Sequence, residues 1–340
     1  MKHLLSILLL FTCCNIYGQV ELKKQKNISR MGIPYGNYSG ITHVEGDLYA
    51  IVSDKDEADG FHFLNIDINL ETGKIKNVAI SEPAKFKENL ERVRQSRQNQ
   101  RDTEGICYRK DSNSFFISGE ADQQILEYSF EGLPTGKSLS IPVEFSVDNI
   151  NTNRGFEALT YNGNTHLFWT TTELPLKLNS DNTIKLQSFS DDLQPQRQFY
   201  YKIEYPLLNK KASNFVYGVP DLLALDDGRL IVVEREVVVT YKYLGSYCIV
   251  KLYIVNPNEN IHESTILQKT LLAEFKTKLA IGKMNFANYE GICIGPKLND
   301  GRQTIILIND SQNGEGNKLY RAKDYLKVIV LDKIVTKDDE

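Results

Sequence analysis

The chain has 340 residues, with 40 Lys and Arg against 44 Asp and Glu and a formal charge of −4 at neutral pH. Mild acidity argues against a nucleic-acid partner, which needs a basic face, and one Trp among 18 Tyr and 15 Phe argues against a tryptophan-lined sugar-binding surface. No Pro-rich or low-complexity stretch marks an interdomain linker, so one large core is expected.

Residues 1–18 read as a secretory signal peptide. Lys2 and His3 form a basic n-region, Leu4 to Phe11 an apolar h-region, and Ile16-Tyr17-Gly18 places cleavage before Gln19. The apolar run is shorter than the roughly 20 residues a membrane span needs, so no transmembrane segment is expected. Cys13 and Cys14 keep a lipoprotein signal open as the alternative, although Leu10-Phe11-Thr12 suits its cleavage poorly. The mature chain, 19–340, is thus expected to be secreted or periplasmic, or lipid-anchored in the alternative. Loss of Lys2 leaves 39 basic against 44 acidic residues, a charge of −5.

From Ser39 onward one pattern recurs: an acid, a small residue, a short apolar strand, a polar turn, and a second apolar strand ending in an acid. Ser39-Gly40-Ile41-Thr42-His43 turns at Glu45-Gly46-Asp47 into a strand ending at Asp54, and this first copy lacks the opening acid. Asp102-Thr103-Glu104-Gly105-Ile106-Cys107-Tyr108 leads to Ser114 through Glu120, and Gly155-Phe156-Glu157-Ala158-Leu159 leads to His166 through Thr170, with Glu173 beyond. Pro220-Asp221-Leu222-Leu223 turns at Asp226-Asp227-Gly228 into Leu230 through Glu234, and Tyr289-Glu290-Gly291-Ile292-Cys293-Ile294 precedes Thr304 through Asp310. A period of roughly 40–50 residues is the mark of a repeat architecture. Short strands rich in Ile, Val, Phe and Tyr, separated by Asp-Gly and Asn-Gly turns, make each copy a β-meander. The expected fold is therefore an all-β single β-propeller of five four-stranded antiparallel blades.

Outer strands are expected at Phe61–Ile68 and Lys74–Ile80, Gln124–Phe130 and Ser138–Glu144, Ile184–Phe189 and Gln198–Ile203, Ser246–Val255 and Gln268–Phe275, and Lys327–Leu331. The last blade lacks one strand, and Gln19 to Ile28 is expected to supply it and close the ring. Six blades remain an alternative if 205–218 or 276–288 hides a degenerate one. Pro83 to Arg101, with Phe86, Leu90 and Val93 at helical spacing and arginines late, reads as a helix. It either overhangs one mouth of the channel or lies solvated on the surface.

The first strand of each blade lines the channel of a propeller, so Glu104, Glu157, Asp221 and Glu290 are expected to converge on one axis. Asp54, Glu120, Glu173, Glu234 and Asp310 return to the same end. Crowded carboxylates raise one another's pKa, and Ca²⁺, bound by six to eight oxygens, is the cofactor such a cluster would take; otherwise each acid caps its own blade. Arg154 and Arg235 are either partners of these acids or a fork for an anionic substrate. His43 and His166 read as structural. Of the cysteines past the signal, Cys107 and Cys293 occupy the same position of non-adjacent blades, and with Cys248 they read as buried free thiols. Nucleophile-elbow, zinc-protease and phosphate-loop motifs are absent.

Asp102-Thr103-Glu104-Gly105-Ile106, Arg154-Gly155-Phe156-Glu157-Ala158-Leu159, Tyr289-Glu290-Gly291-Ile292 and Leu230-Ile231-Val232-Val233-Glu234-Arg235 resemble the phytase-like family of secreted bacterial proteins, named for an "esterase-like activity of phytase". The resemblance spans about Ser39 to Leu331 and implies a β-propeller, export, and hydrolysis of phosphate or other esters. The expected activity is metal-assisted hydrolysis of a small anionic ester by a monomer. Glu104, Glu157, Glu290, Arg154 and Arg235 would be its catalytic residues, and Glu104, Glu157, Asp221 and Glu290 its metal ligands. The alternative is a non-catalytic exported propeller that binds a ligand or protein partner.

Overall fold

The structure is a computed structural model that describes residues 20–332 except 57–58, 97–100, 180, 208–211, 258–261, 263–264 and 319. Residues 1–18, expected to be a signal peptide, lie outside the described residues. The described residues open with two short strands, β1 (Val20–Leu22) and β2 (Lys26–Asn27). Blade one is β3 (Tyr38–Glu45), β4 (Leu48–Ser53), β5 (His62–Ile68) and β6 (Ile75–Ile80), followed by helix α1 (Ala84–Ser96). Blade two is β7 (Thr103–Arg109), β8 (Ser114–Gly119), β9 (Gln124–Ser129) and β10 (Pro134–Ser138). Blade three is β11 (Phe156–Asn162), β12 (Leu167–Thr172), β13 (Thr183–Ser190) and β14 (Pro195–Lys202). Blade four is β15 (Ala212–Ala224), β16 (Leu230–Thr240), β17 (Tyr247–Val255) and β18 (Lys269–Ala280), with β19 (Lys283–Met284) folded back on β18. Blade five is β20 (Asn288–Lys297), β21 (Gln303–Asp310) and β22 (Tyr325–Leu331).

These strands form five antiparallel sheets, and the inner strands β3, β7, β11, β15 and β20 touch one another in sequence around a closed ring. The protein is a five-bladed β-propeller. Its apolar residues gather in five clusters, each filling the seam between two neighbouring blades. Alternation supplies them: along β16, for example, Ile231 and Val233 pack toward blade five while Leu230 and Val232 pack toward blade three. Each blade is thus buried on both faces, which is why its strands read as near-continuous apolar runs.

The N-terminal strands close the ring as expected. Val20, Glu21 and Leu22 pair with Leu331, Val330 and Ile329, and Lys26 and Asn27 pair with Leu326 and Tyr325. Ile28 then plugs the seam between blades five and one with 0 % exposure. Deleting residues 19–28 is expected to cost at least about 3 kcal/mol from the Ile28 cavity alone, lowering the thermal midpoint by on the order of 10 °C. An unchanged unfolding transition would mean that another segment closes the ring.

One alternative falls away and two expectations need correction. No sixth blade exists among the described residues, because 212–218 and 276–284 prolong the strands of blade four instead. The outer strand of blade two is Pro134–Ser138, and Val143–Phe145, expected to be strand, is a 3₁₀ turn that drops Phe145 into the seam with blade three. Helix α1 neither overhangs the mouth nor lies free. Phe86 sits 4.9 and 4.8 Å from the rings of Phe61 and Phe63, and Leu90 and Val93 are buried with it, so the helix is pinned to the seam between blades one and two. Cys107, Cys248 and Cys293 are free and buried.

Candidate functional site

Each inner strand carries a β-bulge at its entry to the ring, the device by which a strand re-aims one side chain. In blade five Tyr289 pairs with Asn309 and Gly291 with Ile308, leaving Glu290 as the extra residue. Phe156–Thr172 and Ala158–Thr171 do the same for Glu157, Thr103–Gly119 and Ile106–Ile117 for Glu104, and Tyr38–Ser53 and Gly40–Val52 for Ser39. The next residue is small because the neighbouring inner strand passes against it. A Cβ on Gly105 would lie 2.6 Å from the Glu157 carbonyl oxygen and 2.7 Å from the Leu159 nitrogen.

Blade four departs from the expected register. Gly218 pairs with Arg235 and Asp221 with Val233, so the bulge holds Val219 and Pro220. The counterpart of Glu104, Glu157 and Glu290 is therefore Val219, and Asp221 falls two residues further along the strand. Its carboxylate accepts backbone N–H groups from Leu222 (2.8 Å), Leu159 (3.4 Å) and Ile292 (2.8 Å), fastening blades three, four and five together. Burial pushes this carboxyl well above its ordinary range, opposed by the three amides. Asp221 does not line the cavity with the other acids. Glu234 is displaced likewise, and it accepts from Tyr201 (2.6 Å), Lys269 (2.5 Å) and the Glu204 amide (3.0 Å) in the seam with blade three.

The register slip brings Arg235 into the ring. Its guanidinium donates to Glu173 of blade three at 2.9 Å, to Asn288 at 2.8 Å and to Glu290 of blade five. Glu173, with 0 % exposure, also receives Arg154 at 2.8 Å. Arg235 is thereby committed to its carboxylate partners. Arg154 keeps part of its side chain open to the cavity, and Glu173 is its carboxylate partner among the described residues.

Glu104 and Glu157 are different. Both are nearly buried, both line the cavity, and neither carboxylate receives a hydrogen bond or ion pair from a described residue. Oxygens of Glu104, Glu120 and Glu157 lie within 4.8 Å of one another, as do those of Asp54, Asp102 and Glu104. Burial, then the charges of Glu157, Asp54, Glu290 and Glu120, push the Glu104 carboxyl well above its ordinary range. Burial and the neighbouring Glu173 and Glu120 do the same to Glu157, against the pull of Arg235. The Glu120 carboxyl is pushed up to about 7 by burial, although the Gly155 N–H at 3.0 Å favours its ionised form. Burial raises Glu290 too, while Arg235 lowers it. A divalent cation fits this donor set: three converging carboxylates, two of them unpartnered, supply oxygens at the separations a hard cation needs. Of the four expected ligands, Glu104 and Glu157 belong to the cluster, Glu290 is held by Arg235 and Asn288, and Asp221 lies elsewhere.

Over this acidic floor stands a cavity of about 610 Å³. Blade four, with strands of 13, 11 and 12 residues in β15, β16 and β18, rises beyond the ring as its wall. Val216, Val237, Val239 and Phe286 make that wall apolar. The sequence reading missed the wall and the contribution of Asp102. The strand lengths of blade four held the signal for the wall; nothing in the sequence distinguishes Asp102 from other turn acids.

A closed propeller with unpartnered carboxylates and an arginine on the floor of an axial cavity defines a class of sites suited to binding a cation and an anionic group. The chain belongs to the phytase-like family, described as "esterase-like activity of phytase", which matches residues 33–312. No curated protein matches it by sequence. Among solved structures it is similar to an endo-arabinase from Bacteroides thetaiotaomicron (12 % identity, TM-score 0.44, 91 % of this chain and 96 % of that one). It is similar as well to a luciferin-regenerating enzyme (10 %, 0.43, 92 % and 95 %) and a streptogramin B lyase (13 %, 0.38, 92 % and 98 %).

Proposed function

We propose that the protein is an exported, cation-dependent hydrolase of phosphate or other esters that works at the acidic mouth of its propeller. The observation that carries this is the pair Glu104 and Glu157, nearly buried and unpartnered beside Glu120, with Arg154 opening onto the same cavity. Glu104, Glu120 and Glu157 would hold the cation, which suits Ca²⁺. When bound, such a cation polarises an ester oxygen and acidifies a water molecule. Arg154 would take the anionic group of the substrate. Asp54 and Asp102, whose oxygens lie within 4.8 Å of Glu104, would accept the proton of the attacking water. The apolar wall favours an ester with an apolar group over a polyanion, since eight acids and four bases line the cavity.

The test begins with metal content and stability. With cation at a hundredfold excess over its Kd, the fold should gain about 2.7 kcal/mol, and a chelator should remove that gain. In chelator the sign of the pH dependence is set by raised carboxyls. Their folded pKa exceeds the unfolded value, so what these carboxyls contribute to stability is fully present below about pH 4.5 and is lost as pH rises through about 7, where Glu120 ionises. Ca²⁺ should reverse this fall. Glu104→Gln should stabilise the metal-free form and shift the Ca²⁺ response to higher concentration, while the exposed Glu71→Gln changes neither. Alkyl and aryl phosphate and carboxylic esters, assayed with and without chelator, then read the activity. A transition that ignores both chelator and Ca²⁺ removes the cation. Bound cation with every ester intact leaves a ligand-binding propeller.

A further inference from the structure

We propose that the tip of blade four docks on an anionic lipid surface. Two turns form this tip, 240–246 between β16 and β17 and 280–283 between β18 and β19. They are joined by the Gly245 N–H to the Leu279 carbonyl at 2.8 Å and the Leu279 N–H to the Ser246 carbonyl at 2.9 Å. Thr277 fastens the β18–β19 hairpin to the body, donating to the Ala287 carbonyl (2.9 Å) and accepting the Ala287 N–H (3.1 Å). The tip is a built structure that projects beyond the ring.

Its surface combines two features. Tyr241, Leu244, Ile281 and Met284 are 81 %, 59 %, 94 % and 60 % exposed. Around them stand the exposed Lys242, Lys276, Lys278 and Lys283, and the stretches 237–247 and 275–288 contain no Asp or Glu. This occurs in a chain whose acids outnumber its basic residues, 44 to 40. Two acids border the tip, Glu315 against Tyr243 and Glu236, which accepts the Tyr247 hydroxyl at 3.1 Å, and each is engaged by a tyrosine. Apolar side chains standing singly on turn tips bury little area against a flat protein surface, whereas a lipid interface accepts each one separately. The lysines match its anionic headgroups, each strengthening attachment roughly 5-fold.

The geometry ties docking to the site without depending on it. Tyr241, Lys242 and Tyr243 also line the cavity, so the mouth faces the surface on which the tip rests. An apolar ester could then enter from the interface.

The experiment uses the chain from Gln19 onward and sedimentation with vesicles, which reads attachment and not hydrolysis. Binding is expected to vesicles of equal parts phosphatidylcholine and phosphatidylglycerol, absent for phosphatidylcholine alone, and weakened by salt. Ile281→Asp should abolish it, and Lys278→Glu with Lys283→Glu should weaken it at least 25-fold, two lysine steps of roughly 5-fold each. Both variants alter exposed side chains, and an unchanged thermal transition confirms that they fold. Failure to bind the mixed vesicles at low salt overturns the proposal, and so does binding that survives either variant. Self-association lost in Ile281→Asp, without vesicle binding, would give the tip to a second copy of the chain.

Discussion

Replacing Arg235 with Met is expected to cost the fold about 3–5 kcal/mol at neutral pH, the penalty for stranding buried charge. The substitution keeps most of the side-chain volume and removes the guanidinium that Glu173 and Glu290 share across two blades. Glu173 would retain only the Arg154 contact among the described residues, and Glu290 only the Asn288 amide at 2.8 Å. Denaturant unfolding gives the loss, and its pH dependence tests the cause. Glu290 already sits above its ordinary range through burial, held down by Arg235. Without that charge it takes up a proton at higher pH, so the deficit of the variant should narrow as pH falls. Arg235→Met with Glu290→Gln should recover part of the loss. A deficit independent of pH would mean that packing, and not charge, is what Arg235 supplies.

Asp221→Ala is expected to be about as severe, on the order of 4 kcal/mol, because three backbone donors from three blades lose their acceptor at once. Asp221→Asn keeps the shape but turns an N–H₂ toward one of those donors, so it should recover little. Calorimetry on these two variants beside Glu104→Gln separates two roles that one motif suggests. Removing charge from Glu104 relieves repulsion and should raise the metal-free midpoint, whereas either change at Asp221 lowers it. If Asp221→Ala instead left stability intact and removed the cation response, Asp221 would be a ligand after all.

The slip in blade four shows where sequence reading ends. Pro220-Asp221-Leu222-Leu223 has the same acid-then-apolar form as Tyr289-Glu290-Gly291-Ile292. A displacement of two residues preserves the alternation of faces, so the apolar pattern is satisfied either way. Only the pairing of Gly218 with Arg235 reveals that the bulge holds Val219 and Pro220. The same slip carries Glu234 out of the ring and Arg235 into it. The residue after the acid was informative on its own: Gly105 and Gly291 follow the bulge where inner strands crowd, while Asp221 is followed by Leu222.

The five meanders, their order, closure by the first strands and the wealth of acids at one end were all legible along the chain. Each of these rests on local periodicity, turn chemistry and repetition, which are written along the chain. Which acids meet, that Glu104 and Glu157 go without a donor among the described residues while Glu290 does not, and that blade four outgrows the ring to form a wall were settled only in three dimensions. Those outcomes depend on register between strands and on distances across the axis between residues far apart in sequence. Such distances follow from how five blades pack around a common axis, a property of the closed ring that no single repeat contains.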